Sequence, residues 1–104
     1  MNQQINTKQE LLKVLRANGS VLSSYGVSRM GLFGSFVRNT GIKSSSDVDL
    51  LVEFKPGEKS YNNYIDLNYY LESLLGRKVE LLTKKSMSPF IGPHIVKEIE
   101  YVSL

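Results

Sequence analysis

Residues 46–54 read Ser-Asp-Val-Asp-Leu-Leu-Val-Glu-Phe, an apolar run with two aspartates at its start. This composition is typical of a β-strand, and Lys55-Pro56-Gly57 predicts the turn that ends it. Because side chains alternate across a strand, Asp47 and Asp49 are expected to share one face. The opposite face is then apolar and turns toward a core, with Val48, Leu50, Val52 and Phe54.

The rest of the chain predicts helices that alternate with strands. Helices are expected over 7–18 and 60–75, with Gly19 as a stop and Gly76 as a left-handed cap. Strands are expected over 28–33 and 77–83, with a short edge strand at 101–102. A helical turn is expected over 36–39, followed by a polar loop over 39–46. A partly helical stretch is expected over 88–98. This order indicates an α/β or α+β fold with helices packed on a small sheet.

Length and composition narrow the class of protein. The 104 residues fit a single domain, 1–104, and 41% hydrophobic with 22% charged residues is typical of a globular chain. No cysteine is present, which excludes a disulfide framework, a thiolate zinc site and a cysteine nucleophile. The polar start of the chain and the lack of a long apolar run predict a cytoplasmic protein without a membrane segment. The net charge of +3 is too mild to distinguish a nucleotide from a nucleic acid as ligand.

The paired aspartates are candidate metal ligands. Two carboxylates held side by side repel each other, and a divalent cation such as Mg²⁺ or Mn²⁺ relieves that repulsion. Glu80 lies between Val79 and Leu81 on the next predicted strand, and it would complete a three-carboxylate site if the two strands are neighbours. Such a site can hold two metal ions about 3.5–4 Å apart. Taken alone, an Asp-x-Asp pair is more often a turn residue followed by an exposed strand residue.

A second candidate site lies at Gly34-Ser35 with Arg38. A strand that runs into Gly-Ser and then a helical turn can expose backbone N–H groups to an anion. Gly34 permits close approach of a phosphate, Ser35 can donate its hydroxyl, and Arg38 can grip phosphate oxygens with its planar guanidinium. Taken alone, Gly-Ser is more often an ordinary turn, with Arg38 in solvent.

Together these motifs resemble the signature of the minimal nucleotidyltransferases of the DNA-polymerase-β superfamily, over roughly residues 28–102. The loop between Ser35 and Asp47 is one residue longer than is usual there, and Glu80 stands where the family commonly has aspartate. The resemblance implies a small mixed β-sheet with helices packed on one face. The longer loop affects the segment that would hold the phosphates. The longer side chain of Glu80 affects the geometry of the metal ligand or base.

The resemblance also implies an activity. Asp47, Asp49 and Glu80 would hold Mg²⁺, with two ions expected and Mn²⁺ an alternative, and Glu80 would otherwise serve as the base. Gly34, Ser35 and Arg38 would hold the phosphates of ATP while AMP passes to a hydroxyl and pyrophosphate leaves. Stand-alone members resemble antitoxins that are paired with a HEPN-domain toxin, and some of them adenylylate a tyrosine of that toxin.

Several alternatives stay open at this level. The chain leaves no room for a domain that grips a DNA primer, so the predicted acceptor is a separate protein. A non-catalytic antitoxin that acts by binding is one alternative, and a transferase for a small molecule such as an antibiotic, with its pocket built by a homo-oligomer, is another. A nucleic-acid-binding module is less favoured, because no basic stripe with interleaved aromatics is present. The base preference, the acceptor and the oligomeric state are not determined by the sequence.

Overall fold

A computed structural model of the chain describes residues 4–83, 93 and 97–104. Its helices are α1 Lys8–Ala17, α2 Gly19–Ser24, α3 Ser35–Arg38 and α4 Tyr61–Leu75, and its strands are β1 Val27–Phe33, β2 Val48–Phe54, β3 Val79–Leu82 and β4 Glu100–Val102. The strands form one sheet in the order β3-β2-β1-β4. β1 pairs antiparallel with β2 and with β4, whereas β2 pairs parallel with β3. The expected small mixed sheet of an α+β fold is confirmed.

The two faces of the sheet differ in what covers them. On one face, strand residues including Val48, Leu50 and Val52 join the main core with leucines of α1, α2 and α4. On the other face, Phe33 and Leu51 form a smaller apolar cluster with Leu82 and Ile99. The alternation read from residues 46–54 is therefore confirmed, and it places Asp49 on the face away from the main core.

The caps of the two longest helices follow from local sequence. At the start of α1, the hydroxyl of Thr7 accepts a hydrogen bond from the Glu10 backbone N–H at 3.1 Å, and Glu10 Oε1 accepts one from Asn6 N–H at 3.3 Å. The Thr7 bond satisfies an amide donor that the first turn leaves unpaired, and the Glu10 bond fixes the residue before the cap. At the end of α4, Gly76 adopts the left-handed region at φ 66°, as predicted.

Helix α1 ends just before Gly19, as predicted, but the chain then enters a short helix that was not predicted. Helix α1 ends at Ala17 with Asn18 as its cap, and Gly19 opens the short helix α2. The physical reason is tertiary: α2 is fixed by the complete burial of Leu22 in the main core. A six-residue helix with one buried residue shows no helical periodicity that a sequence could display.

Two elements were predicted for the C-terminal part of the chain, a partly helical stretch and an edge strand. Most of the partly helical stretch predicted over 88–98 lies outside the described residues. The predicted edge strand at 101–102 is confirmed as part of β4. This strand pairs with the edge of β1 that does not face β2. In the described part of the chain, no helix is both long and apolar enough to cross a membrane.

Candidate active site

The candidate site forms at one end of the sheet, around Asp49. In the β1–β2 pair Asp49 lies opposite Phe33, the last residue of β1, and in the parallel β2–β3 pair it lies opposite Glu80. Asp47 immediately precedes β2. The topology thus brings together three acids that are separated by up to 33 positions in the sequence.

Gly34 packs directly against the central aspartate. Its backbone adopts φ 74° and ψ −151°, a region that is essentially restricted to glycine. A Cβ atom added to Gly34 would lie 2.1 Å from Asp49 Oδ2, which is far inside van der Waals contact. The glycine is therefore required both for the backbone turn and for the close approach of the 34–38 segment to the acids.

The surroundings of Asp49 change its pKa strongly. Burial is the largest cause that raises the pKa of Asp49, to about 7, and the charge of Glu80, a hydrogen bond with Glu80 and the charge of Asp47 act in the same direction. Arg38 opposes the shift. A carboxyl with this pKa is protonated about half the time near neutral pH.

The same crowding bears on metal binding. Within residues 4–83, 93 and 97–104, no group of three acids or histidines has the spacing of a metal site. The three acids Asp47, Asp49 and Glu80 therefore do not have the geometry of a metal site in this structure. The donor set still suits a hard divalent cation, since carboxylate oxygens are its preferred ligands and mutual repulsion is what a cation relieves.

The candidate phosphate side lies next to these acids. Ser35 begins α3 and Arg38 ends it, directly after Gly34. The influence of Arg38 on the pKa of Asp49 shows that its guanidinium is close enough to act on the central carboxyl. Gly34 and Arg38 therefore lie near the acids, and Ser35 lies between them in the chain.

Two residues near the site carry contacts that sequence analysis missed. Glu98 Oε1 accepts a hydrogen bond from Gly34 N–H, and Glu98 Oε2 accepts one from Arg38 Nη1, each at 2.9 Å. Arg77 is buried, and it donates Nη1 to the carbonyls of Lys43 and Ser46, at 2.7 and 2.8 Å. Neither contact could be read from spacing, because each joins segments more than 30 residues apart.

Arg77 fixes the loop that leads into the acids. Its Nε also donates to the carbonyl of Ile5 and its Nη2 to the side chain of Asn6 at 2.9 Å, so one guanidinium ties the chain before α1 to the end of the 39–46 loop. Burial lowers the pKa of Arg77, and Glu10 partly opposes that effect. The bonds from Arg77 hold Ser46, and hence the backbone position of Asp47.

A cleft of about 460 Å³ opens beside the acids on the β3 side of the sheet. Asp47 and Glu80 reach into it, together with the polar side chains of Asn68 and Lys78. Tyr64 also lines the cleft and donates its hydroxyl to the carbonyl of Leu81, which covers part of the outer edge of β3. The phosphate side and this cleft thus flank the acids from opposite directions along the sheet.

The structure thus places two acids at the start of one strand of a mixed sheet, beside a Gly-Ser turn. The family model of the nucleotidyltransferase domain matches residues 9–102 of this chain. Protein adenylyltransferase MntA of Thermococcus cleftensis is 39% identical over 97 residues, which cover 92% of this chain and 96% of that protein. The chain therefore belongs to the nucleotidyltransferase domain family, and the resemblance noted in its sequence is confirmed.

Solved structures agree with this assignment. The structure of a candidate minimal nucleotidyltransferase matches with a TM-score of 0.75 and 28% identity, covering 94% of this chain and 96% of the other. A chain from a toxin–antitoxin complex with AMP-PNP matches with a TM-score of 0.61 and 23% identity, covering 90% of this chain and 70% of the other. The second match shows that the two chains share a fold.

Proposed function

We propose that this protein is a Mg²⁺-dependent adenylyltransferase that moves AMP from ATP to a hydroxyl of a partner protein. The observation that carries the proposal is the convergence of Asp49, Glu80 and Gly34 at one end of the sheet. The site residues are Asp47, Asp49 and Glu80 for the metal and the reacting groups, and Gly34, Ser35 and Arg38 for the phosphates.

The positions of Gly34 and Arg38 determine the direction in which pyrophosphate leaves the site. Gly34 and Arg38 lie on the β1 side of the acids, where they would hold the β- and γ-phosphates. The positive charge of Arg38 stabilises the negative charge that develops on pyrophosphate as the bond between Pα and the bridging oxygen breaks. The leaving group therefore departs toward α3.

The acceptor then arrives from the other side. In an in-line displacement the attacking oxygen lies opposite the leaving oxygen, which places it near Glu80 and the cleft on the β3 side. The hydroxyl oxygen forms the new bond to Pα and its proton passes to the Glu80 carboxylate, which later releases it to solvent. Asn68 and Lys78 line the entrance and would contact the acceptor.

Asp49 would lose its proton when the acids bind the metal ion, because a nearby cation favours the ionised carboxyl. Asp47 and Asp49 are the ligands of this proposal, and Glu80 joins them or acts as the base. A bound Mg²⁺ would polarise the α-phosphate and neutralise charge on the triphosphate. The raised pKa of Asp49 supports this assignment, because burial and the charges of Glu80 and Asp47 disfavour its ionised form, which a bound cation would favour.

The acceptor of this proposal is a tyrosine of a toxin protein, and this chain is its antitoxin. The support is the similarity to a named protein adenylyltransferase MntA and to a chain of a toxin–antitoxin complex with AMP-PNP. The open cleft beside Glu80 supports an acceptor that enters as part of another protein, because a side chain on a protruding segment can reach it.

The test uses ATP that carries a radiolabel on its α-phosphate, in the presence of Mg²⁺. The acceptor is the protein encoded by the neighbouring gene, co-expressed with this chain, and transfer of the label to it is measured. The variants are Asp49→Asn and, as a matched control, Asp66→Asn, an exposed aspartate of α4 outside the site. We expect labelled tyrosine with wild type and Asp66→Asn, and a loss on the order of a hundredfold or more with Asp49→Asn. Equal labelling by all three proteins would remove Asp49 from the mechanism.

The same experiment separates the alternatives. A stable complex with the partner and no label from any nucleoside triphosphate would indicate an antitoxin that acts by binding. Label that appears on a small hydroxylated molecule and never on protein would indicate a small-molecule transferase.

A further inference from the structure

The carboxylate of Glu98 accepts hydrogen bonds from two donors beside the acids, one on Gly34 and one on Arg38. Each oxygen serves one donor, Gly34 N–H for Oε1 and Arg38 Nη1 for Oε2, and both distances are 2.9 Å. The Arg38 side chain is 54% exposed, so without this partner it would sample many rotamers. Among the described residues, Nη1 is the only side-chain nitrogen of Arg38 with a hydrogen-bond partner, which leaves Nε and Nη2 for a ligand.

The backbone of Glu98 is placed by the sheet. In the antiparallel β1–β4 pair, Met30 lies opposite Val102 and Leu32 lies opposite Glu100. Continuing this register by two residues places Glu98 opposite Gly34. The carboxylate thus meets the Gly34 N–H just beyond the point where the β1–β4 ladder ends.

We propose that Glu98 is a positioning residue for nucleotide binding, which holds Arg38 in a fixed orientation so that its free N–H groups face the triphosphate. This inference rests on the proposed function, which identifies the ligand as a nucleoside triphosphate. It adds a residue, and with it edge strand β4, to a site that otherwise consists of β1, α3, β2 and β3.

The opposite role for Glu98 would be an internal anion that competes with phosphate for the same donors. Two features favour positioning. The charge of Glu98 is already paired with Arg38, so the pair presents no net negative charge to an incoming phosphate. The contact also uses one edge of the guanidinium, and a planar guanidinium can bind a carboxylate on one edge and a phosphate on another.

The test compares binding of ATP and of inorganic tripolyphosphate, each with Mg²⁺, by calorimetry for wild type, Glu98→Gln and Glu100→Gln. Glutamine has one acceptor oxygen and can serve Gly34 or Arg38 but not both. We expect Glu98→Gln to weaken both ligands by about tenfold, the effect of one charge-assisted hydrogen bond. Glu100→Gln makes the same charge change two residues away, where the partner is Lys8, and should change affinity by less than about twofold.

A second pair of variants separates positioning from general support of the fold. In Arg38→Ala there is no guanidinium to orient, so adding Glu98→Gln should cause no further loss of tripolyphosphate affinity. Equal losses in both backgrounds, or unchanged or tighter binding by Glu98→Gln, would overturn the inference. If wild type binds both ligands but transfers no AMP, the proposed function fails and this inference stands on the binding data. If wild type binds neither ligand, both fail.

Discussion

Asp49 and Glu80 lie opposite each other in the parallel pair of β2 and β3, and their carboxyl groups are hydrogen-bonded. Parallel pairing is what creates this contact, because β2, α4 and β3 form a crossover unit whose two strands run in the same direction. The acid at the second position of β3 therefore reaches the acid at the second position of β2.

The first prediction concerns pH. The pKa of Asp49 is about 7 in the folded protein, above the 3.8 of an ordinary aspartate. Its contribution to stability is therefore fully present below about pH 4 and is lost as the pH rises through about 7. In EDTA, we expect the Tm of wild type to fall by a few degrees more than that of Asp49→Asn between pH 5 and 8, measured by circular dichroism.

Mg²⁺ should reverse this loss. At pH 8 Asp49 is mostly charged, and we expect added Mg²⁺ to raise the Tm of wild type and of the Asp66→Asn control but not of Asp49→Asn. Parallel pH profiles for wild type and Asp49→Asn in EDTA would contradict the assignment of the raised pKa to Asp49.

The second prediction concerns Gly34. Gly34→Ala adds a Cβ that meets Asp49 Oδ2, on a backbone with φ 74°. We expect a loss of unfolding free energy larger than the roughly 1–3 kcal/mol of backbone strain alone, together with loss of detectable ATP binding. Gly57→Ala is the matched control, since Gly57 has φ 79° with no atom within 4 Å of its added Cβ. It should show the strain in urea denaturation and keep nucleotide affinity.

The third prediction concerns the buried guanidinium. Arg77→Lys keeps the charge but cannot reach Ile5, Asn6, Lys43 and Ser46 together. We expect a loss of about 2–4 kcal/mol in the free energy of unfolding, from several buried hydrogen bonds at about 1 kcal/mol each. Arg16→Lys, at an exposed position of α1, should change stability by less than about 0.5 kcal/mol. Similar urea midpoints for the two variants would show that the Arg77 bonds are not stabilising.

The fourth prediction concerns the cleft beside Glu80. Asn68→Ala removes a polar side chain that lines this cleft on α4. If the acceptor enters there, the KM for the acceptor protein should rise by about fivefold, the effect of one hydrogen bond, while the KM for ATP stays unchanged. Asn62→Ala, on an exposed part of the same helix, serves as the control. A rise in the KM for ATP with no change for the acceptor would assign the cleft to the nucleotide.

Local sequence was sufficient for most of the elements. The period-2 pattern of residues 48–54 and the cap at Gly76 each act within a few residues, so strand β2 and the end of α4 could be predicted. Helix α2 could not, because its stability comes from Leu22 in a core built by distant segments. The same holds for Arg77, whose partners lie 31 to 72 positions away along the chain.

The sequence by itself determined that Asp47 and Asp49 share a face away from the core, because alternation along a strand is a local property of the backbone. It also provided the glycine that the turn at position 34 requires. Only the tertiary structure decided that Glu80 would lie beside Asp49 and Glu98 beside Arg38. Both contacts depend on which strands are neighbours and in what register, and register is set by the packing of the whole sheet against its helices rather than by residues near either acid.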